Sequence, residues 1–159
     1  MIREKPMLVL LNKENVEKYA YGVMKCLEVF GSINLTSQEA NSILDSKIDN
    51  GHLVAIVVEN NQVVSTATLL LEKKLIHGGD CAYTDTTHSL IGHLEDVSTL
   101  PDCRKQGHAR NIIDFLEQKA KELGCYKILA DVSIDNFNNF YNGLEYKVQE
   151  LCIRKDLRG

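Results

Sequence analysis

Gly92-His93-Leu94-Glu95-Asp96-Val97-Ser98-Thr99, a short turn, and then Arg104-Lys105-Gln106-Gly107-His108-Ala109 is the stretch that decides how this chain folds. A largely apolar run with strand character passes straight into an Arg-x-x-Gly-x-Ala loop, and a long amphipathic segment follows. At the start of a helix the first backbone N–H groups lack intrahelical partners and the helix dipole adds positive potential. Gly107 lets a ligand approach the backbone closely, and Arg104 adds a fixed positive charge. The junction reads as an anion pocket of the size of a pyrophosphate.

Working outward, the hydrophobic spacing supplies the other elements. Ala109, Ile112, Ile113, Leu116, Ala120 and Leu123 fall on one face of a helix over residues 107–123, which Gly124 ends. Residues 91–100 form the strand before the loop, and residues 126–133 the strand after the helix. Upstream, residues 7–11 read as a short strand. Val16, Tyr19, Ala20, Val23, Met24 and Leu27 mark a helix over 15–30. Thr36-Ser37-Gln38-Glu39 is a capping box that starts a second helix ending near Asp49. Residues 53–59 and 63–71 are strands joined by a tight turn at Asn60-Asn61, because Asn tolerates positive φ. A short helix over 136–144 and a last strand over 148–153 complete the order β-α-α-β-β-β-α-β-α-β.

Bulk properties narrow the function classes. The 159 residues make one domain, with its core at about residues 8–155, and suffice to bury a hydrophobic core. The net charge of −4 gives no global field for nucleic acid, so an anionic substrate must be held by a local positive cluster. The charged start (Arg3, Glu4, Lys5) is not a signal peptide, and the longest apolar run, Leu53 to Val58, is too short for a membrane span. Five cysteines (Cys26, Cys81, Cys103, Cys125, Cys152) without Cys-x-x-Cys spacing point to reduced thiols and a cytoplasmic protein. The five histidines form no zinc-type spacing, so no metal site is expected.

The Arg104–Ala109 loop resembles the acetyl-CoA pyrophosphate loop of the Gcn5-related N-acetyltransferase superfamily. Gly92-His93-Leu94-Glu95-Asp96-Val97, Gly124-Cys125-Tyr126-Lys127-Ile128 and Phe140-Tyr141 narrow the resemblance to the glucosamine 6-phosphate N-acetyltransferase family. Glu72-Lys73-Lys74-Leu75-Ile76-His77 and Ile153-Arg154-Lys155 match it as well. The resemblance spans roughly residues 8–155. It implies an α/β (α+β) fold with a mixed, mostly antiparallel central sheet and helices on both sides. It also implies acetyl-CoA as co-substrate, a sugar-phosphate acceptor, and a homodimer whose acceptor site lies between subunits.

The same resemblance distributes roles. Val97, Ser98 and Thr99 pair with the pantetheine arm, and a backbone N–H of this segment faces the thioester oxygen. Arg104, Lys105, Gln106, Gly107, His108, Ala109 and Arg110 form the pyrophosphate loop, with the side chains of His108 and Arg110 facing solvent. Tyr141 is the candidate general acid for the departing thiolate. Phenols titrate near ~10 and Cys-like thiols near ~8.5, so the phenol keeps a proton to give at neutral pH. Asp131, on the strand beside Val97, orients the amine through its carbonyl and contacts the cofactor. Glu95 and Asp96 hold the sugar, facing opposite ways as strand neighbours. Lys74, Leu75, Ile76, His77, Tyr126, Lys127 and Arg154 complete the acceptor site.

Several residues depart from the family pattern. Ala109 replaces a glycine common in the loop. One extra residue stands before Tyr141, and Glu145-Tyr146 replaces a Gly-aromatic pair. The segment 78–91 is longer than the usual connection, and Glu28 replaces a small hydroxyl residue near the sugar phosphate. Two rival readings follow: an acetyltransferase of the same fold for another small amine, and a non-catalytic acyl-CoA-binding module.

Overall fold

The computed structural model describes residues 4–75 and 90–158. Ile76, His77 and all but the end of the long segment 78–91 lie outside the described residues. Two compact units divide the chain, residues 1–129 and 130–159.

In the first unit, β1 (Met7–Leu10), β2 (Leu53–Glu59), β3 (Gln62–Lys73), β4 (Leu90–Thr99) and β5 (Cys125–Ala130) form a sheet in sequence order. The pairs β1–β2, β2–β3 and β3–β4 are antiparallel. The β2–β3 connection turns at Asn60 and Asn61, whose φ values of 49° and 61° are the left-handed pair a two-residue hairpin demands.

The register sorts the core into two faces. Val54, Ile56 and Val58 of β2 pack with Val63 of β3 against α1 (Val16–Leu27) and α2 (Ser37–Asp49). Thr36 caps α2 reciprocally with Glu39: its hydroxyl accepts from the Glu39 N–H at 3.1 Å, and the Glu39 carboxylate accepts from the Thr36 N–H at 2.7 Å. The opposite face carries Ala55, Ala67 and Leu69, all fully buried, and meets α3 (His108–Glu122) through Ile112, Ile113 and Leu116. Helices therefore cover both sides of a mixed sheet.

Gly92 of β4 lies where two strands and a side chain crowd together. A methyl group there would stand 2.8 Å from Leu69 Cδ1, 3.3 Å from Leu69 Cγ and 3.4 Å from Ile128 Cγ1. Leu69 is fully buried and has nowhere to retreat. Gly92→Ala is expected to destabilise the fold by about 1–3 kcal/mol through overpacking, seen as a lower urea midpoint at unchanged slope.

The second unit departs from the sequence expectations. The fifth strand stops at Ala130 instead of running to residue 133, which leaves Asp131 beyond the strand rather than on it. The helix expected over 136–144 is two pieces. α4 (Ile134–Asn139) is capped by the Ser133 side chain, and a 3-10 turn follows at Tyr141–Leu144. The break falls at Phe140, whose φ of −139° is not helical. No strand forms over 148–153. Val148, Leu151 and Ile153 are 66%, 91% and 91% exposed, and a strand without a paired neighbour and a buried face has little to hold it.

Candidate active site

Glu95, Asp96 and Val97 lie on β4 with a geometry that strand alternation does not foresee. Thr68 pairs with Glu95 and Thr66 with Ser98, so two residues advance on β3 while three advance on β4. The extra residue is a bulge at Asp96-Val97, with Asp96 at φ 52°. Glu95 and Asp96 therefore do not simply face opposite ways, because the left-handed residue breaks the two-residue period. Asp96 is exposed, while Glu95 and Val97 are half-buried. Neither Asp96 nor Val97 has a register partner on β3, so the bulge takes their backbone out of the β3 ladder.

Beyond the bulge the strand is pinned. The Ser98 hydroxyl donates to the Cys26 carbonyl at the end of α1. Ser65 Oγ donates to the Ser98 carbonyl at 3.0 Å and lies 2.8 Å from Thr99 Oγ1. Ser98 thus faces inward, and its carbonyl is already engaged. Burial holds the Cys26 thiol up at about 12, so it stays a thiol.

The loop closes back on the strand, with Arg104 Nε donating to the Thr99 carbonyl at 3.2 Å. Lys105 (φ 61°) and Gly107 (φ 82°) are both left-handed. Gly107 is the N-cap residue of α3 and supplies no side-chain cap. The first helical hydrogen bond runs from the Asn111 N–H to the Gly107 carbonyl at 3.0 Å, so the amides of His108, Ala109 and Arg110 precede the ladder. Arg104, Lys105, Gln106 and Gly107 are exposed around that helix end. The arrangement can bind an anionic group through backbone donors with two cationic side chains at hand.

His108 is a correction. It was expected to face solvent and instead is 4% exposed, with Nε2 lacking a hydrogen-bond partner and lying 3.7 Å from the Glu59 carboxylate. Its position one residue into α3 places it on the same buried face as Ile112. Arg110 is exposed, as expected. A buried unsatisfied nitrogen costs stability, so His108→Leu is expected to raise the unfolding free energy by about 1 kcal/mol. A drop in the urea midpoint would show that the contact with Glu59 is worth more than the missing hydrogen bond.

The expected phosphate ligands are partly occupied. Lys74 Nζ lies 2.6 Å from Glu72 Oε1, and Arg154 lies 2.6 Å from the Asp156 carboxylate. Lys127 is exposed, its ammonium 5.6 Å from the Tyr126 ring centroid. Leu75 is fully exposed after β3. Glu28, which would repel a phosphate, is paired with Lys25 at 2.9 Å, which compensates its charge.

In the second unit Tyr141 is 7% exposed, with Phe140 and Tyr146 edge-on to its ring at 5.0 and 5.6 Å. Burial pushes its phenol above the usual value, which keeps it protonated. The negative charge of Asp131, and after it a hydrogen bond to that carboxylate, holds the Cys152 thiol above its usual value. The first unit thus brings together Glu95, Asp96, Val97–Thr99 and the Arg104–Arg110 loop, and the second holds Asp131, Tyr141 and Arg154. His93, two residues from Glu95 on β4, was assigned no role from the sequence; its Nε2 lies 2.7 Å from the Glu72 carboxylate. Among the described residues no group of three or more His, Cys, Asp or Glu side chains is placed to hold a metal ion, and no helix is long and apolar enough to cross a membrane.

Known proteins share this architecture. Residues 23–143 match the model of the Acetyltransferase (GNAT) family. Glucosamine 6-phosphate N-acetyltransferase of Trypanosoma brucei brucei is 27% identical over 137 residues, covering 82% of this chain and 86% of that protein. The crystal structure of glucosamine-6-phosphate N-acetyltransferase from Arabidopsis thaliana superposes with a TM-score of 0.80 at 21% identity, over 98% of this chain and 100% of that one. A predicted acetyltransferase from Clostridium acetobutylicum, solved with acetyl-CoA, superposes at 0.74 and 20% identity, over 96% and 97% of the two chains.

Proposed function

Because the chain belongs to the acetyltransferase (GNAT) family, whose members use acetyl-CoA, we propose that it acetylates the amine of D-glucosamine 6-phosphate, giving N-acetyl-D-glucosamine 6-phosphate and CoA. The observation that carries the reading is the continuity of the bulge at Asp96-Val97 with the unpaired amides at the start of α3. A thioester beside the bulge and a diphosphate on the amides fit one extended ligand. Relatives that bear the sugar-phosphate name support the acceptor.

In this reading the pantetheine arm adds to the freed edge of β4 as a strand would, and an N–H of the bulge faces the thioester oxygen. Arg104, Lys105 and the amides of residues 106–110 take the diphosphate. Glu95 and Asp96 accept hydrogen bonds from the sugar, and Asp131 orients the amine through its carbonyl. The neutral amine attacks the thioester carbon directly, the C–N bond forms, and the C–S bond breaks. The departing thiolate takes a proton from Tyr141. Positioning of this kind is worth on the order of 7–11 kcal/mol of barrier in favourable cases. No acyl-enzyme is formed. Lys74, Leu75, Ile76, His77, Tyr126, Lys127 and Arg154 line the acceptor site, some of them across a homodimer interface, in a cytoplasmic enzyme that supplies UDP-N-acetylglucosamine synthesis.

A second reading has its own observation. Lys74 and Arg154 are already neutralised by Glu72 and Asp156, which favours an acceptor amine without a phosphate. Thiol release from acetyl-CoA, compared for glucosamine 6-phosphate, glucosamine and a panel of small amines, separates the two. The proposal expects turnover with the phosphorylated sugar alone. Preference for an unphosphorylated amine would keep the cofactor site and discard the phosphate ligands. Tight acetyl-CoA binding with no turnover on any amine would leave a binding module.

A further inference from the structure

His93, Glu72 and Lys74 form a relay on the face of the sheet that carries Glu95. Cross-strand partners share a face, and the register pairs Leu70 with His93 and Thr68 with Glu95. His93 and Glu95 are two residues apart on β4, about 6.6 Å along the strand. They therefore point the same way, on the side of the sheet where Ser98 reaches the end of α1. Both oxygens of Glu72 are occupied: Oε1 accepts from Lys74 Nζ at 2.6 Å, and Oε2 lies 2.7 Å from His93 Nε2. Lys74, and after it His93, holds the Glu72 carboxyl below the usual range, so near neutral pH it is an anion that can only accept. His93 Nε2 must then be the N–H partner. In the neutral ring this leaves Nδ1 with a lone pair and no proton. The His93 side chain is 31% exposed, within reach of a ligand.

We propose that Glu72 and Lys74 lock the tautomer of His93 so that Nδ1 accepts a hydrogen bond from a hydroxyl of the acceptor substrate, making His93 a specificity-determining residue. The inference rests on the reading that the acceptor lies along β4 beside Glu95, and it deepens it by orienting the substrate. A lone pair on Nδ1 attracts donors and repels phosphate oxygens. The hydroxyl-bearing edge of the sugar faces His93 Nδ1, and the phosphate lies away from that nitrogen. An acceptor lacking that donor leaves a half-buried nitrogen unpaired, which is how one missing hydroxyl becomes discrimination.

Two measurements on the full chain test it. Nitrogen-15 spectra of the histidine rings, with the His93 signals identified by their loss in His93→Asn, are expected to show the proton on Nε2. Glu72→Gln, whose amide both donates and accepts, is expected to reduce that tautomer's share. In kinetics, His93→Asn and Glu72→Gln are each expected to raise KM for glucosamine 6-phosphate about tenfold, with the Kd of acetyl-CoA unchanged. A panel of singly deoxygenated glucosamine 6-phosphates is expected to contain one member on which wild type and His93→Asn perform alike, and it marks the hydroxyl that His93 reads. A wild-type His93 protonated on Nδ1 alone would overturn the proposal. So would an unaltered acceptor KM in His93→Asn when the wild type turns over normally. No wild-type turnover on any amine would sink the acceptor reading itself, and this proposal with it.

Discussion

Gly107→Val is expected to weaken acetyl-CoA binding about 100-fold while shifting the thermal midpoint only slightly. Gly107 sits at φ 82° as the N-cap of α3, and a Cβ there would meet nothing within 4 Å. The folded chain therefore loses little by collision, and the cost comes from the backbone. A left-handed conformation costs an L-residue about 1–2 kcal/mol, and a β-branched one more. The loop relieves that strain by leaving the conformation, which turns the amides of residues 108–110 away from the diphosphate. The added side chain also stands where the ligand would come closest. Together these effects amount to about 3 kcal/mol of binding, or the 100-fold loss at 1.4 kcal/mol per decade. Gly107→Asn is the control, because Asn tolerates positive φ, and it should recover part of the affinity. Equal affinities for all three proteins by titration calorimetry would remove the loop from cofactor binding.

Tyr141→Phe is expected to lower kcat about 100-fold and to leave KM for both substrates nearly unchanged. A positioned general acid contributes roughly 10²–10⁴-fold, and the substitution removes only the proton to be given. The Phe140 and Tyr146 edge contacts need the ring, not the hydroxyl, so the fold is kept. The sign of the pH dependence follows from burial. A phenol pushed above its ordinary value of 10.0 keeps its proton through the neutral range and loses it only at higher pH. The activity profile should therefore show no alkaline loss attributable to Tyr141 below about pH 10. An unchanged kcat would take Tyr141 out of the mechanism.

How much of this was legible in the sequence depended on whether the information was local. The capping box at Thr36 and Glu39, the Asn60-Asn61 turn and the Ile112, Ile113, Leu116 and Ala120 face of α3 are set by neighbours within a few residues and formed where expected, while Leu123, expected on that face, caps the helix and is 49% exposed. The bulge at Asp96-Val97 was hidden, because a non-glycine residue at positive φ leaves no mark in composition and alternation alone predicts opposite faces. His108 was misplaced by its polarity, which pointed to solvent, while helix phase placed it beside Glu59. The expected strand over 148–153 failed for a different reason, since apolar residues (Val148, Leu151, Ile153) were present but pairing, which no local pattern guarantees, was not. The family resemblance placed Lys74 and Arg154 in the acceptor site, but Glu72 and Asp156, each only two residues away, are their partners.

Identifying the product tests the proposed acetyl transfer without intermediaries. The enzyme is incubated with glucosamine 6-phosphate and acetyl-CoA labelled with carbon-13 in its acetyl group, and sugar and protein are then examined by mass spectrometry and NMR. One labelled acetyl group in amide linkage to the sugar nitrogen is expected, with none on the protein. Label retained on the protein, or an unacetylated sugar phosphate beside intact bound acetyl-CoA, would contradict it.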